Sequence, residues 1–357
     1  MVEATKILLA MSGGTDSSMA AVMLLDQGYD VIGVTMRMWD DSNVQGDNTP
    51  AYIKDAQELA SKYNFPHYVL DVREDFKKSV VCNFVDEYMS ARTPNPCVLC
   101  NVAIKWKYLI SFANEMNCSK IATGHYAKIV KKGDRFTIGM GDDIRKDQSY
   151  FLWGLSQEVL SRAIFPLAEI EKEDLRILAE EKGLSKIAKK KDSMEICFIE
   201  DDEYRDFLRQ EIKDIDSNPG IGDFILKDGS KVGEHKGYPF YTIGQRKGLG
   251  IALGKPAYVT KIDSETNTIT LGDREDLLTK EVYVKDSNIM LYNELKDGHE
   301  VSIKIRYRTS PSLGRLYPQE NGLIKIEMYE DVSAVTPGQS AVFYEKDLLV
   351  GGGIILK

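Results

Sequence analysis

The chain has 357 residues, enough for two or three domains with cores of their own. With 43% hydrophobic and 28% charged residues it has the composition of a soluble globular protein, and no apolar window reaches the length that spans a bilayer. A net charge of −9 argues against a uniformly basic nucleic-acid binder, so a polyanion would have to be met by local patches.

Five such patches occur: Lys131-Lys132, Arg145-Lys146, Lys189-Lys190-Lys191, Arg246-Lys247 and Lys304 to Arg308. Each taken alone reads as a solvated face. The N-terminal residues lack the apolar core of a signal peptide, which points to the cytoplasm. Five cysteines would be reduced there, so a cluster of them suggests metal binding or catalysis before structural bridges.

The apolar run Ile7 to Met11 predicts a buried strand. Ser12-Gly13-Gly14 forms a small turn, and a helix opens at Thr15 or Asp16 and stops at Gly28. A strand, a glycine turn and a helix N-terminus make an anion site, because backbone N–H groups and the helix dipole both face the ligand. Asp16 suits such a site only if a divalent cation bridges it to phosphate. The stretch is neither a Walker A loop nor a dinucleotide fingerprint. Ser-Gly-Gly-x-Asp-Ser resembles the pyrophosphate loop (PP-loop) of the ATP pyrophosphatases. Those enzymes cleave ATP between its α and β phosphates and adenylate a substrate oxygen.

Further strands are predicted at 31–36 and 66–71, a polar loop at 40–50, and helices at 51–63 and 76–90. This alternation implies a doubly wound parallel sheet, with ligands at the carboxyl ends of its strands. Met36, ending the second strand, is a candidate adenine contact. The prolines of Arg92-Thr-Pro-Asn-Pro-Cys-Val-Leu-Cys-Asn101 predict a shaped loop leading into a helix over 103–116. Cys97 and Cys100 form a C-x-x-C there, where a helix N-terminus favours thiolate. A structural zinc site would need two more ligands, and the flanking prolines disfavour a thioredoxin-type pair. A catalytic or cluster-binding pair beside the ATP loop remains the favoured reading. A short strand over 120–127 brings Gly124, suited to close backbone approach, and His125.

Phe136 begins a hairpin arm, and Asp142 to Leu155 joins a charged patch to aromatics, suiting a surface that grips RNA. Helices follow at 156–163, 172–182 and 202–212. Cys197, in an apolar strand-like run, alone reads as a core cysteine, as do Cys82 and Cys118 in helical patterns. Asn218-Pro-Gly marks a boundary. Short strands then recur, Tyr238 to Thr242 among them, interrupted by Gly244 to Gly250, which suits phosphate gripping. From Lys280 onward the pattern reads as a small β-barrel. The expected units are 1–213, a nucleotide-binding catalytic domain; 214–279, a β-rich domain contacting the substrate; and 280–357, the barrel.

Taken together, the PP-loop, Thr93 to Asn101, Ala122 to Tyr126, Lys146 to Phe151, Ser193 to Phe198 and Thr242 to Gly250 resemble the tRNA-specific 2-thiouridylases, the MnmA/TrmU family. The match runs in order along the chain. It implies that sulfur replaces the 2-oxygen of the wobble uridine (U34) of certain tRNAs, such as lysine, glutamate and glutamine acceptors, with ATP and Mg²⁺. The resemblance carries ATP binding to Ala10, Met11, Ser12, Gly13, Gly14, Thr15, Asp16, Ser17, Met36 and Gly124. It places Asn95, Pro96 and Cys97 around the target base, and makes Cys100 and Cys197 the active-site thiols. His125, Lys146, Asp147, Gln148, Arg306, Tyr307, Arg308 and Gln339 would touch tRNA. Many members have Asp where this chain has Cys97, so that residue's role departs from the family.

Two sulfur routes follow from the resemblance. In one, Cys197 carries a persulfide from a relay protein, and Cys100 releases the sulfur by forming a Cys100–Cys197 disulfide. In the other, Cys97, Cys100 and Cys197 ligate an iron–sulfur ([4Fe-4S]) cluster whose free iron holds hydrosulfide. Rival readings are an amide ligase of the same superfamily, a thiolase for another tRNA position, and an RNA-binding protein with a degenerate nucleotide site.

Overall fold

The structure, a computed structural model, describes residues 5–40, 49–190, 196–199 and 203–356. Most of the predicted loop at 40–50, Lys191, Ser193 to Glu195 of the Cys197 motif and the first residue of the 202–212 helix lie outside them. Five strands make a parallel sheet: β1 (Lys6–Ala10), β2 (Asp30–Arg37), β3 (His67–Asp71), β4 (Lys120–Ala122) and β7 (Ala163–Ile164), in the order β3-β2-β1-β4-β7. Central β1 has Ile7, Leu8 and Leu9 fully buried, as a strand covered on both faces requires. Its register, Ile7 on Val31 and Leu9 on Ala122, aligns the carboxyl ends of β1, β2 and β4. The sheet's helices include α1 (Thr15–Asp26), α2 (Ala51–Tyr63), α3 (73–89), α4 (96–115), α5 (Gln157–Arg162), α6 (Lys172–Glu181), α7 (Ser185–Ala188) and α8 (Tyr204–Glu211). The doubly wound α/β class and the β-rich units that follow it are as the sequence predicts.

Several local expectations are corrected. The residues 92–101 are not loop throughout, because α4 begins at Pro96. Proline is tolerated at a helix's first position, where its missing N–H has no partner to lose. Tyr238 to Phe240 form a single 3₁₀ turn around Pro239 instead of a strand. The strand at 120–127 ends at Ala122, and Cys197 and Phe198 sit in a turn. Cys82 faces solvent, whereas Cys118 is buried as expected. Both long helices contain a π segment, Lys77–Val81 in α3 and Asn101–Trp106 in α4.

A four-stranded sheet follows, with β8 (Gly222–Leu226), β9 (Lys231–His235), β10 (Tyr258–Asp263) and β11 (Thr268–Gly272) in the order β10-β11-β8-β9. The last unit comprises β12 (Leu278–Ile289), β13 (His299–Lys304), β14 (Ser312–Pro318), β15 (Ile324–Ser333), β16 (Ser340–Glu345) and β17 (Leu348–Ile355). Pairing of β12 with both β15 and β17 closes these six strands into a barrel. A hairpin from the first unit, β5 (Ala127–Lys132) and β6 (Arg135–Met140), joins the barrel's sheet at β17.

Candidate active site

The turn after β1 is shaped by backbone geometry. Gly13 has φ of +67°, and a Cβ there would lie 2.2 Å from the Tyr52 carbonyl oxygen, so only glycine fits. Gly14 caps α1 without a side-chain bond, leaving first-turn N–H groups for an anion. Ser12 and Ser17 face each other, with Oγ atoms 3.2 Å apart and Ser12 N donating to Ser17 Oγ at 3.0 Å. Buried Thr15 donates to Ile187 O at 2.7 Å and ties the helix start to α7. Met11 and Met36 are buried in the core beside Ala10.

Asp16 accepts from Tyr126 Oη at 2.8 Å and from Lys172 Nζ at 2.6 Å. One carboxylate next to an anion site fits the demand of Mg²⁺, which takes few protein ligands beside phosphate oxygens. Lys190 Nζ donates to Gly13 O at 2.5 Å and pairs with Asp55. Neither Lys172 nor Lys190 is assigned to this site by sequence alone. The run 189–191 reads as a solvated face, yet its middle residue grips the loop. Lys172 hides at the start of an amphipathic helix, where nothing distinguishes it from a surface lysine.

Gly124, after β4, lies against the start of α1: a Cβ would meet Ser17 N at 3.0 Å and the Asp16 carbonyl carbon at 3.1 Å. The next residue, His125, bonds Thr123 Oγ1 at 2.7 Å and stands edge-on to Phe165. Burial, with the nearby Lys105 ammonium, pushes its pKa down to about 3, so the ring is neutral at physiological pH.

The thiols gather beside it. Cys97 and Cys100 occupy the first turn of α4, and Cys100 Sγ lies 3.9 Å from Sδ of Met38, the residue after β2. Cys197 is placed by its neighbour, since buried Phe198 sits in an aromatic cage of Trp39, Phe76, Phe84 and Phe207, with centroids 5.1–6.1 Å away. Burial raises the pKa of Cys97 and Cys100, while Lys105 opposes the rise in each. All are free thiols, and Cys197 is open to solvent. Among the described residues no three His, Cys, Asp or Glu side chains lie close enough to hold a metal ion. A [4Fe-4S] cluster takes each thiolate on a different iron, so Cys97, Cys100 and Cys197 need not converge on one point to hold it.

The residues implied to touch tRNA divide. Arg308 is exposed, and Lys146 and Gln148 are half-buried. Asp147 is buried, accepting from Gly141 N and Ser149 N, both at 3.2 Å, and from Ser149 Oγ at 2.7 Å, so its carboxylate points inward. Arg306 donates to Ile243 O at 3.3 Å and Ala334 O at 2.9 Å, joining the middle sheet to the barrel. Tyr307 packs on Phe151 at 4.5 Å. Gln339 Nε2 donates to Thr93 O at 3.2 Å and Pro94 O at 2.8 Å, so the barrel holds the segment leading into Asn95, Pro96 and Cys97.

Three family profiles match in succession. They are a tRNA methyl transferase HUP domain over 5–201, a tRNA methyl transferase PRC-barrel domain over 205–273, and an aminomethyltransferase β-barrel domain over 279–355. Proteins named tRNA-specific 2-thiouridylase MnmA from Cytophaga hutchinsonii and MnmA 3 from Phocaeicola vulgatus are each 46% identical to this chain. The alignments cover 98% of this chain and 97% and 94% of those proteins. MnmA 2 from Clostridium botulinum is 45% identical over 99% of both. A remote likeness, at 20% identity and TM-score 0.36, extends to the solved U34-tRNA thiolase NcsA of Methanococcus maripaludis, covering 60% of this chain and 66% of that one. Full-length similarity of this degree, on a chain with this loop and these thiols, has one conclusion: the chain belongs to the tRNA-specific 2-thiouridylase (MnmA) family.

Proposed function

We propose that the chain is a cytoplasmic enzyme that thiolates tRNA at the expense of ATP, replacing O2 of the wobble uridine (U34) with sulfur. The observation that carries this reading is the continuity of the two half-sites. Gly124 abuts the PP-loop helix, and His125, the next residue, stands in the field of Lys105, which faces Cys97, Cys100 and Cys197. The two half-sites are thus linked through consecutive residues, Gly124 and His125.

ATP would lie along Ala10 to Ser17, with Met36 and Gly124 beside its adenosine. A uridine carbonyl oxygen leaves poorly, and transfer of AMP to O2 makes it a good leaving group while pyrophosphate departs from the loop. Mg²⁺ held by Asp16 would supply neutralisation of phosphate charge. Asn95, Pro96 and Cys97 would surround a base splayed out of the anticodon loop, a modest cost in single-stranded RNA. Exposed Arg308 and half-buried Lys146 and Gln148 would meet the tRNA directly. Asp147, Arg306 and Gln339 would act by shaping the surface that does.

Sulfur transfer proceeds from a Cys197 persulfide supplied by a donor or relay protein. Its terminal sulfur attacks C2, the C2–O2 bond breaks, and AMP leaves with the oxygen and the bonding pair. Cys100 thiolate then attacks the Cys197 sulfur, and the bond from Cys197 to the transferred sulfur breaks, leaving its pair on the base as C2=S. The two cysteines end as a disulfide, which a thiol reductant reopens. Cys97 stands beside them as a third sulfur. The units 1–213, 214–279 and 280–357 would divide the work into catalysis, tRNA contact and support of the catalytic segment. The test is incubation with ATP, unmodified tRNA and a persulfide or sulfide donor, followed by nucleoside mass spectrometry, with iron measured after anaerobic purification. Appearance of 2-thiouridine from iron-free enzyme and persulfide supports the reading. Its absence with both donors overturns it.

A further inference from the structure

Lys105 has a place that the function so far leaves unused. It lies in the π segment of α4, five residues after Cys100. In an α-helix, residues five apart point roughly 140° away from each other. A π turn closes i onto i+5 and brings them to one face, and such turns recur at functional sites. The irregularity in α4 thus directs Lys105 toward the side of the helix that holds the thiols. Its neighbours there are Cys100, Cys97 and Cys197, each acting on its charge, and among the described residues no carboxylate joins them. Among the described residues Lys105 has neither a hydrogen-bond acceptor nor an ion-pair partner. The nearby histidine, being neutral, brings no opposite charge to cancel it. An ammonium held half-buried beside three thiols, with no counter-ion among the described residues, gains from an anion bound there.

We propose that Lys105 is the fixed counter-charge of an anionic-sulfur site bounded by Cys97, Cys100 and Cys197, which takes hydrosulfide or the terminal sulfur of a persulfide. Lys105 acts through the sulfurs it faces and is a positioning residue. The assignment of that sulfur to tRNA thiolation rests on the function proposed above, while the site itself rests on the geometry of α4.

The charge is read by alkylation. Iodoacetate is anionic and iodoacetamide neutral, and both attack the same thiolate. The ionised fraction therefore cancels in their rate ratio, which reports the local field. Cys197 and Cys82 are both exposed, so peptide mass spectrometry of one sample compares the site with an internal reference. In the wild-type chain the iodoacetate/iodoacetamide ratio at Cys197 is expected to exceed that at Cys82 about 3- to 10-fold, and to fall as salt is added. Lys105→Gln should bring it to the Cys82 value, and Lys105→Arg should keep it. A wild-type ratio at Cys197 no larger than at Cys82 overturns the proposal without any variant. So does an unchanged ratio in Lys105→Gln, or a loss in Lys105→Arg equal to that in Lys105→Gln. Thiolation is scored separately. An intact alkylation signature with no 2-thiouridine from the wild type would leave the anionic-sulfur site standing and remove the proposed function.

Discussion

Gly13→Ala probes the activating half of the site most directly. The new Cβ would lie 2.2 Å from Tyr52 O, whereas real Cβ contacts essentially never fall below 3.0 Å, so loop or helix α2 must yield by about 0.8 Å. Alanine must also hold a φ of +67°, which costs a non-glycine residue roughly 1–2 kcal/mol. The strain is local, so it should lower Tm by about 2–8 °C at roughly 2–4 °C per kcal/mol. Catalysis should suffer far more, because a displacement near 1 Å of a positioning element costs on the order of 100-fold in rate. The assay is single-turnover pyrophosphate release with saturating tRNA, beside a thermal melt. Pyrophosphate release within about 3-fold of wild type would refute the claim that this turn positions the phosphates, whatever the melt shows.

Other outcomes follow from the same geometry. Cys197→Ser and Cys100→Ser should abolish 2-thiouridine formation while retaining tRNA-dependent pyrophosphate release, and loss of both signals together would count against separate half-sites. Gln339→Ala removes donors to two carbonyls before Asn95, so it should cost about 1–2 kcal/mol and raise the KM for tRNA more than it changes the KM for ATP. Equal changes in both constants would contradict a role through the Thr93–Pro94 segment. Cys82→Ser, at an exposed position, should change stability by less than about 0.5 kcal/mol and leave thiolation intact, as denaturant melts and the tRNA assay would check. His125 has a folded pKa of about 3, below its unfolded value of 6.5, so the unfolded chain binds the extra proton. Its contribution to stability is present above pH 6.5 and is lost as pH falls toward 3, at roughly 1.4 kcal/mol per unit at most. His125→Asn should flatten urea-derived stability against pH in that window, and an unchanged slope would show that the ring protonates in the folded state.

The strands and helices of the first unit were legible because their apolar periods are strong, and Ser12 to Ser17 because glycine and serine at a strand–helix junction have few other uses. The start of α4 was not, since two prolines outweighed the rule that one may open a helix at Pro96. Tyr238 to Phe240 misled because an aromatic run around Pro239 mimics a strand. Residues implied by resemblance keep their positions but not always a direct contact, as buried Asp147 and the engaged guanidinium of Arg306 illustrate. The cations of the site were the hardest to find. Lys105, Lys172 and Lys190 are defined by what faces them from elements 5 to about 180 residues away, and a lysine's surroundings leave no mark in its own sequence. The π turn that aims Lys105 is equally silent in the sequence.

The hairpin β5–β6 gives the molecule a further property. Leu348 pairs with Gly139, Met140 N donates to Asp347 O at 2.9 Å, and Arg135 reaches Met290 O at 2.8 Å and Ile289 O at 2.9 Å. Residues more than 150 positions apart thus share one ribbon, so the first unit contributes strands to a sheet completed only when the end of the chain has been synthesised. A nascent chain holding only the first unit would present β6 as a bare edge, with unpaired amides ready to pair with another copy. The barrel is in this sense an edge cover as well as a support, and pieces of the protein cut between the units should aggregate where the whole chain does not.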